Sequence, residues 1–481
     1  MDNDMKHRKQ TPIKKRNGIL LLLPAILALL ASSTSSSIYA DALTAEAKAF
    51  QTSSVMDLEM ITSWGPSDPT RFNPHTGSLL APLMIPRVSG TANNMRVQEF
   101  ILDFFAKLNA TSLAGHAEED IVDNHNDPIT KRSSSKNRKV SKRFESQVQE
   151  KEKLFRRAPG TAGTGWHLEV DRFVDKTPFG EKTFTNLVFT KNPKAENRLV
   201  FAAHFDSKYF PPTDKPKAQW NGGDDTLPFV AATDSAAPCA ILLDLAASLD
   251  RALDQHGRDD KDTTLQFIFF DGEEAFEDWS ANDSLYGSRH LAEKWEKQRV
   301  PRTRMATGRN GGSTSNNLDG IELFVLLDLL GAEKPRVPSH FGATHWAHQH
   351  SLTIEQRLWD AKLHGGQVLT RRKEGRSEEE RRGDEDDDMD QLEEDHPLTA
   401  FFTEQPSWGG VDDDHRPFLH RGVPIFHVIP TPFPPVWHKL EDDANAISPE
   451  VVEGWANIFR TFTVEYLQLL KAKPIHRRDE L

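Results

Sequence analysis

Short apolar runs recur along the second half of the chain, at 198–203 (RLVFAA), 265–270 (LQFIFF), 321–327 (IELFVLL) and 424–429 (PIFHVI). They are rich in Val, Ile, Leu and Phe and lack polar alternation. That pattern predicts strands buried on both faces, the central strands of a sheet covered by helices on either side. Helical periodicity fills the intervals, at 235–250, 288–298, 346–364 and 449–471. The first of these has Ser235 placed as an N-cap and Pro238 in its first turn. Alternating strands and helices predict an α/β fold: one globular domain with a twisted, mixed, mostly parallel central β-sheet flanked by helices.

Other stretches have no apolar period at all. Residues 116–160 are polar and basic, with eleven Lys/Arg against three Glu between Lys131 and Arg157. Residues 300–317 are dense in Gly, Ser and Asn, and residues 371–395 carry thirteen acids and six bases. All three read as surface insertions into the domain. The N-terminus has a basic flank (Lys6, Arg8, Lys9, Lys14, Lys15, Arg16) and an apolar run over 19–31. That run suits the core of a signal peptide over 1–40 and is too short to span a bilayer comfortably; an uncleaved signal anchor is the alternative, and the only membrane contact expected. The last four residues, Arg-Asp-Glu-Leu at 478–481, resemble receptor-read retention tails. Entry signal and tail together predict the secretory pathway, with the endoplasmic reticulum lumen or secretion as the destination. Two sequons, Asn109-Ala-Thr and Asn282-Asp-Ser, fit a lumenal glycoprotein.

Composition narrows the chemistry. The 481 residues carry a net charge of −13, which excludes a nucleic-acid binder working through a basic face. A single cysteine, Cys239, excludes an internal disulfide and a multi-Cys zinc site. With leader and insertions set aside, about 330 residues remain, one large catalytic domain within 41–475 rather than three domains.

The strand ends carry the candidate chemistry. His204 and Asp206 follow the first run, Asp271, Glu273 and Glu274 the second, Asp328 the third, and Trp437-His438 come shortly after the fourth. In open α/β sheets ligands bind outside the carboxyl ends of the strands, so these groups converge on one rim. Any one of them alone would read as a cap or turn residue. Asp234, before the first helix, would cap that helix if it stood alone. With Glu274 and His438 it makes a thiolate-free Asp/Glu/His set suited to a catalytic zinc with an open position. Adjacent Glu273 would then face the substrate as a free carboxylate.

The segments AAHFDSKYF (202–210), ATDSAAPCA (232–240), FFDGEEAFEDWSANDSLYGSRHLA (269–292), VLLDLLGA (325–332) and GGVDDDHRPFLHRGVPIFHVIPTPFPPVWHKLEDD (409–443) resemble the glutaminyl-peptide cyclotransferases, of the zinc aminopeptidase-like superfamily. Residues 165–188 fit as well. The resemblance implies an acyltransferase acting on peptides or proteins with N-terminal Gln, and secondarily Glu, in a monomer. It implies one Zn²⁺ held by Asp234, Glu274 and His438, with Glu273 as proton shuttle and Asp328 and Asp413 in an acidic network behind it. Trp279, Phe433 and Trp437 would line the substrate pocket. Two departures stand out: Ala203 occupies the place of a cysteine partner in secreted animal members, leaving Cys239 a free buried thiol, and Asp412 extends the acidic run before Asp413.

The strongest rival is a di-zinc aminopeptidase removing N-terminal amino acids, with His204 and Asp328 at a second metal and Asp234 bridging. A lumenal binding protein on an inactive enzyme fold is the non-enzymatic alternative, and the complete Asp234, Glu273, Glu274, His438 set argues against it. His345, His348 and His350 read as helix-surface residues rather than a metal site, and Trp346 and Trp359 as packing residues.

Overall fold

The computed structural model describes residues 50–114, 155, 165–211, 227–258, 263–300, 315–365, 400–407 and 410–471. Residues 1–40, the tail at 478–481 and most of the three polar stretches lie outside them. Each apolar run forms a strand: β3 (Asn197–His204), β4 (Thr263–Phe270), β7 (Ile321–Leu327) and β8 (Ile425–Val428). Two strands that periodicity did not single out precede them, β1 (His167–Thr177) and β2 (Gly180–Thr190). They form an antiparallel hairpin at the sheet edge, turning tightly at Thr177↔Gly180, where Gly180 takes φ +85°. The six-stranded order is β1-β2-β4-β3-β7-β8, with β4, β3, β7 and β8 parallel and the hairpin antiparallel. Only one residue of β1, Asp171, is buried, so its sequence carries little burial pattern. A short ladder, β5 (Arg299–Val300) with β6 (Ser315–Asn316), brackets the Gly/Ser/Asn-rich stretch.

Alternate residues of the central strands feed two cores, as the period of two requires. Leu199, Phe201, Leu265, Phe267, Leu323 and Val325 pack on one face, against α1 (Val55–Ser63), α2 (Ala92–Ala114), α3 (Ala237–Arg258), α5 (His345–Asp360) and α7 (Pro449–Leu467). Val200, Ala202, Ile268, Phe270, Phe324 and Leu326 pack on the other, with Trp295 of α4 (Tyr286–Lys297) and Phe418 of α6 (Arg416–Leu419). Three helices depart from expectation. α3 starts two residues after Ser235, because residues 232–236 form a wide, irregular turn. α5 ends at Asp360 rather than reaching 364. α7 ends at Leu467, where Gln468 adopts φ +56° before a short 3₁₀ turn. No described helix is long and apolar enough to cross a membrane.

His345, His348 and His350 do not converge. His345 pairs with Ser339 Oγ at 2.9 Å, buried His348 with the Val337 carbonyl at 3.1 Å, and His350 with Glu465 at 2.9 Å. They are packing residues, and His348 is interior rather than on the helix surface. Trp359 packs as expected, stacking on His364 with ring centroids 4.3 Å apart.

Glu465 ties the start of the described chain to α5 and α7. It accepts from Ser53 N at 2.7 Å and from both Arg357 Nη atoms at 2.8 and 3.0 Å. Burial pushes this carboxyl up, but His350, Arg357 and Ser53 N outweigh it and hold it at about 2, against an ordinary 4.5. A depressed carboxylate contributes stability that is complete above its unfolded pKa and is lost as pH falls through its folded one. Glu465→Gln should therefore cost roughly 2–3 kcal/mol near pH 7. In thermal melts the gap to the wild type should narrow below about pH 4.5 and close near pH 2; parallel profiles across that window would refute the assignment.

Candidate active site

The rim groups do meet. β3 ends in His204, β4 runs into Glu273 and Glu274, β7 ends before Asp328, and the 232–236 turn supplies Asp234. The turn after β8 supplies His438, in a left-handed conformation with φ +52°. His438 Nε2 lies 3.3 Å from Glu274 Oε1 and 3.5 Å from Asp234 Oδ2. Both carboxylate oxygens are buried and have no hydrogen-bond partner. Two ligand atoms on a tetrahedral zinc are about 3.3–3.4 Å apart, given bonds of about 2.0–2.1 Å, so this set has the spacing and the donor chemistry of a zinc site. Unpaired buried carboxylate oxygens aimed at one point are costly unless a cation occupies it.

A second group shares Asp234. His204 Nε2 stands 3.1 Å from Asp234 Oδ1 and 3.4 Å from Asp328 Oδ1. One of its carboxylate atoms, Asp328 Oδ1, is satisfied within the protein, while both His204 ring nitrogens have no hydrogen-bond partner among the described residues. Asp328 Oδ1 accepts from the Leu329 amide at 2.8 Å and from the Ser235 hydroxyl in a short hydrogen bond. Ser235 thus serves Asp328 rather than capping α3. A third cluster is Asp413, His415 and His427, in which His427 Nε2 lies 2.7 Å from Asp413 Oδ2.

The two adjacent glutamates differ in environment. Burial raises both. For Glu274, Lys208 at 3.2 Å and His438 outweigh burial and hold it at about 2. For Glu273, burial prevails over the pull of His204, and the charges of Glu274, Asp413 and Asp414 add to it, so it sits well above the ordinary carboxylate range. Asp206 anchors the turn beneath them, accepting from Glu273 N at 3.1 Å and Glu274 N at 3.3 Å. Asp413 is also pushed well up, by burial and then by Asp328.

Two aromatic rings, Trp437 and Phe433, border His438. Trp437 stacks on His438 with ring centroids 4.0 Å apart, and Phe433 meets Trp437 edge-on at 4.9 Å. Trp279 is 41% exposed, on a loop whose start is held by Asp283 accepting from the amides of Phe276, Glu277 and Asp278. Asp412 is exposed and paired with Arg416. Cys239 is a free buried thiol that donates to the His204 carbonyl at 3.2 Å, and burial pushes it up to about 12.

The sequence marks Asp206, Ser235 and Lys208 without giving them these partners, and it does not mark His427, Asp442 or Arg87 at all. Asp206 and Lys208 lie just beyond the end of β3, where position marks them. His427 is inside a strand, and nothing local marks Arg87.

The Peptidase family M28 model matches residues 186–463. A glutaminyl-peptide cyclotransferase of Gloydius blomhoffii is 41% identical over 309 residues, covering 63% of this chain and 72% of that protein. This chain belongs to the glutaminyl-peptide cyclotransferase family, within Peptidase family M28. A Bos taurus glutaminyl-peptide cyclotransferase is 39% identical over 312 residues, covering 63% of this chain and 72% of its own. The crystal structure of Macrostomum lignano glutaminyl cyclase matches with a TM-score of 0.56 at 26% identity, over 90% of this chain and 97% of that one. In this cyclotransferase family member, the M28 match begins inside β2. α1, α2 and the segment between them, including Arg87, therefore lie outside the match.

Proposed function

We propose that this chain converts the N-terminal glutamine of peptides and proteins to pyroglutamate with release of ammonia, using one zinc ion held by Asp234, Glu274 and His438. The observation that carries this reading is the convergence of two unpaired buried carboxylate oxygens on His438, in a chain whose relatives are named cyclotransferases. The ion would supply Lewis-acid polarisation of the side-chain amide carbonyl.

The residues do the rest. Tryptophans 279 and 437 and Phe433 offer an apolar border against which the glutamine side chain folds back toward its own α-amine. The nucleophile is tethered to its target, so positioning supplies much of the acceleration. Glu273 takes a proton from the attacking amine and passes it to the departing nitrogen, which leaves as ammonia. The divergence of Glu273 and Glu274 fits this division: the high-pKa neighbour moves protons, and the low-pKa one stays an anion. Asp328 and Asp413 lie behind Glu273, tied to Ser235 and His427 respectively, and hold its surroundings fixed.

The one-metal reading rests on the difference between the two ligand groups. Asp328 Oδ1 already accepts two hydrogen bonds, whereas the oxygens facing His438 accept none. Metal analysis of the purified protein should give one zinc per chain, and chelation should abolish ammonia release from Gln-initiated peptides until zinc is restored. Two metals per chain with release of free N-terminal amino acids would establish the aminopeptidase instead.

Residence in the lumen of the secretory pathway belongs to this proposal, supported by the basic-then-apolar stretch at 6–31 and the Arg-Asp-Glu-Leu sequence at 478–481. Of the two sequons, Asn109 exchanges two hydrogen bonds with the Trp166 backbone, at 2.6 and 2.9 Å, while Asn282 is exposed. Asn282 is accordingly the better glycan acceptor.

A further inference from the structure

Asp234 sits on unusual backbone. Ala231 is left-handed at φ +57°, and Asp234 and Ser235 have non-helical dihedrals (φ −119°, ψ 73° and φ −128°, ψ 51°) inside the turn that leads to α3. A non-glycine residue at positive φ persists only where its surroundings impose it. Two buried charged residues, remote in sequence, grip this turn. The Arg87 guanidinium, fully buried, donates to the carbonyls of Val230, Ala231 (2.9 Å) and Asp234 (3.5 Å) and to that of Leu83 (3.3 Å). Its own backbone is fixed in turn, with its amide on Ser207 Oγ (2.9 Å) and its carbonyl accepting from Asn94 (3.1 Å). From the other side, buried Asp442 accepts from Thr233 N at 2.8 Å through its carboxylate and from Ala232 N at 3.0 Å through its carbonyl. Asp442 closes the turn that begins at Lys439, next to His438.

We infer that Arg87 is a positioning residue for the metal site: its guanidinium fork, opposed by Asp442, fixes the 230–235 backbone so that Asp234 Oδ2 faces Glu274 and His438. This rests on Asp234, Glu274 and His438 being the metal ligands. Arginine suits the task because its planar fork reaches several carbonyls at once from a fixed geometry, which a lysine ammonium cannot do. The residue comes from the segment before the M28 match, so that segment contributes to the site and not only to the core. Asp442 links the same backbone to the turn carrying His438, so two of the three ligands share one support.

The test is zinc affinity by competition with a chromophoric chelator, together with the visible absorption of the cobalt-substituted protein. Loss of an outer partner of a metal ligand commonly weakens binding by about 10–100-fold. Arg87→Met should fall in that range and alter the cobalt band, and Arg87→Lys should weaken binding about tenfold. A merely structural role would lower the melting temperature and leave the affinity and cobalt spectrum of the folded fraction unchanged; that result overturns the inference. If Arg87→Met does not fold, Arg87→Lys and Asp442→Asn carry the test, and native zinc affinity in both overturns it equally. Asp234→Ala separates the two readings. If it retains native zinc affinity, the ligand assignment itself fails. If it loses zinc while the Arg87 and Asp442 variants do not, only the positioning role fails.

Discussion

Glu273→Gln should lower kcat for ammonia release from a Gln-initiated peptide by roughly 10²–10⁴-fold, the range a positioned proton-transfer group supplies. The substitution is nearly isosteric at a buried position, so packing is preserved. It removes a carboxyl that burial and the neighbouring charges of Glu274, Asp413 and Asp414 all push toward the neutral form. Thermal stability should therefore hold or rise. The proposed ligands are untouched, and zinc content should stay at one per chain. Stopped assays of ammonia alongside metal analysis of the same preparation make the comparison. A variant with full zinc and a rate within tenfold of the wild type would remove Glu273 from the proton-transfer role.

The largest stability effect should come from Asp244→Ala, far from the chemistry. Asp244, on α3, is fully buried between Arg71 Nε at 2.6 Å and Arg460 Nη2 at 2.6 Å. Burial raises its pKa, but Arg460 and Arg71 outweigh it and keep the carboxyl below its ordinary range. Arg71 has a second partner in Glu453 at 2.6 Å, whereas Arg460 otherwise reaches the Thr62 carbonyl and Asn457. Removing the shared carboxylate strands a buried guanidinium, a change that commonly costs about 3–5 kcal/mol. Denaturant unfolding of Asp244→Ala should show that loss. Adding Arg460→Met should recover part of it, because Arg71 keeps Glu453 and no cation is left stranded on α7. A single variant within about 1 kcal/mol of the wild type, or a double variant worse than the single, contradicts the account.

Both predictions concern residues whose visibility in the sequence differed greatly. Glu273 and Glu274 stand directly after a strand, and strand ends in an open α/β sheet all face one rim, so position alone brought them together with Asp328 and His204. Asp244 and Arg460 sit inside apolar helical patterns as isolated charges, and no local signal joins them to Arg71. The β1–β2 hairpin escaped the periodicity reading for a similar reason. β1 lies at the sheet edge and buries little, so its sequence need not alternate clearly, and only β2 pairs with the central strands.

The sequence by itself determined the α/β class, the central strands and the residues from which a metal set could be drawn. Burial on two faces and helical amphipathicity are written in local composition, and the order of strands and helices places their ends. Which oxygens remain free was settled only in three dimensions. Ser235, placed by sequence to cap a helix, instead donates to one oxygen of Asp328. The Asp234 backbone is shaped by Arg87, 147 residues earlier, and by Asp442, more than two hundred residues later. A carboxylate's direction depends on every group packed against its backbone, and those groups come from segments that only folding makes neighbours.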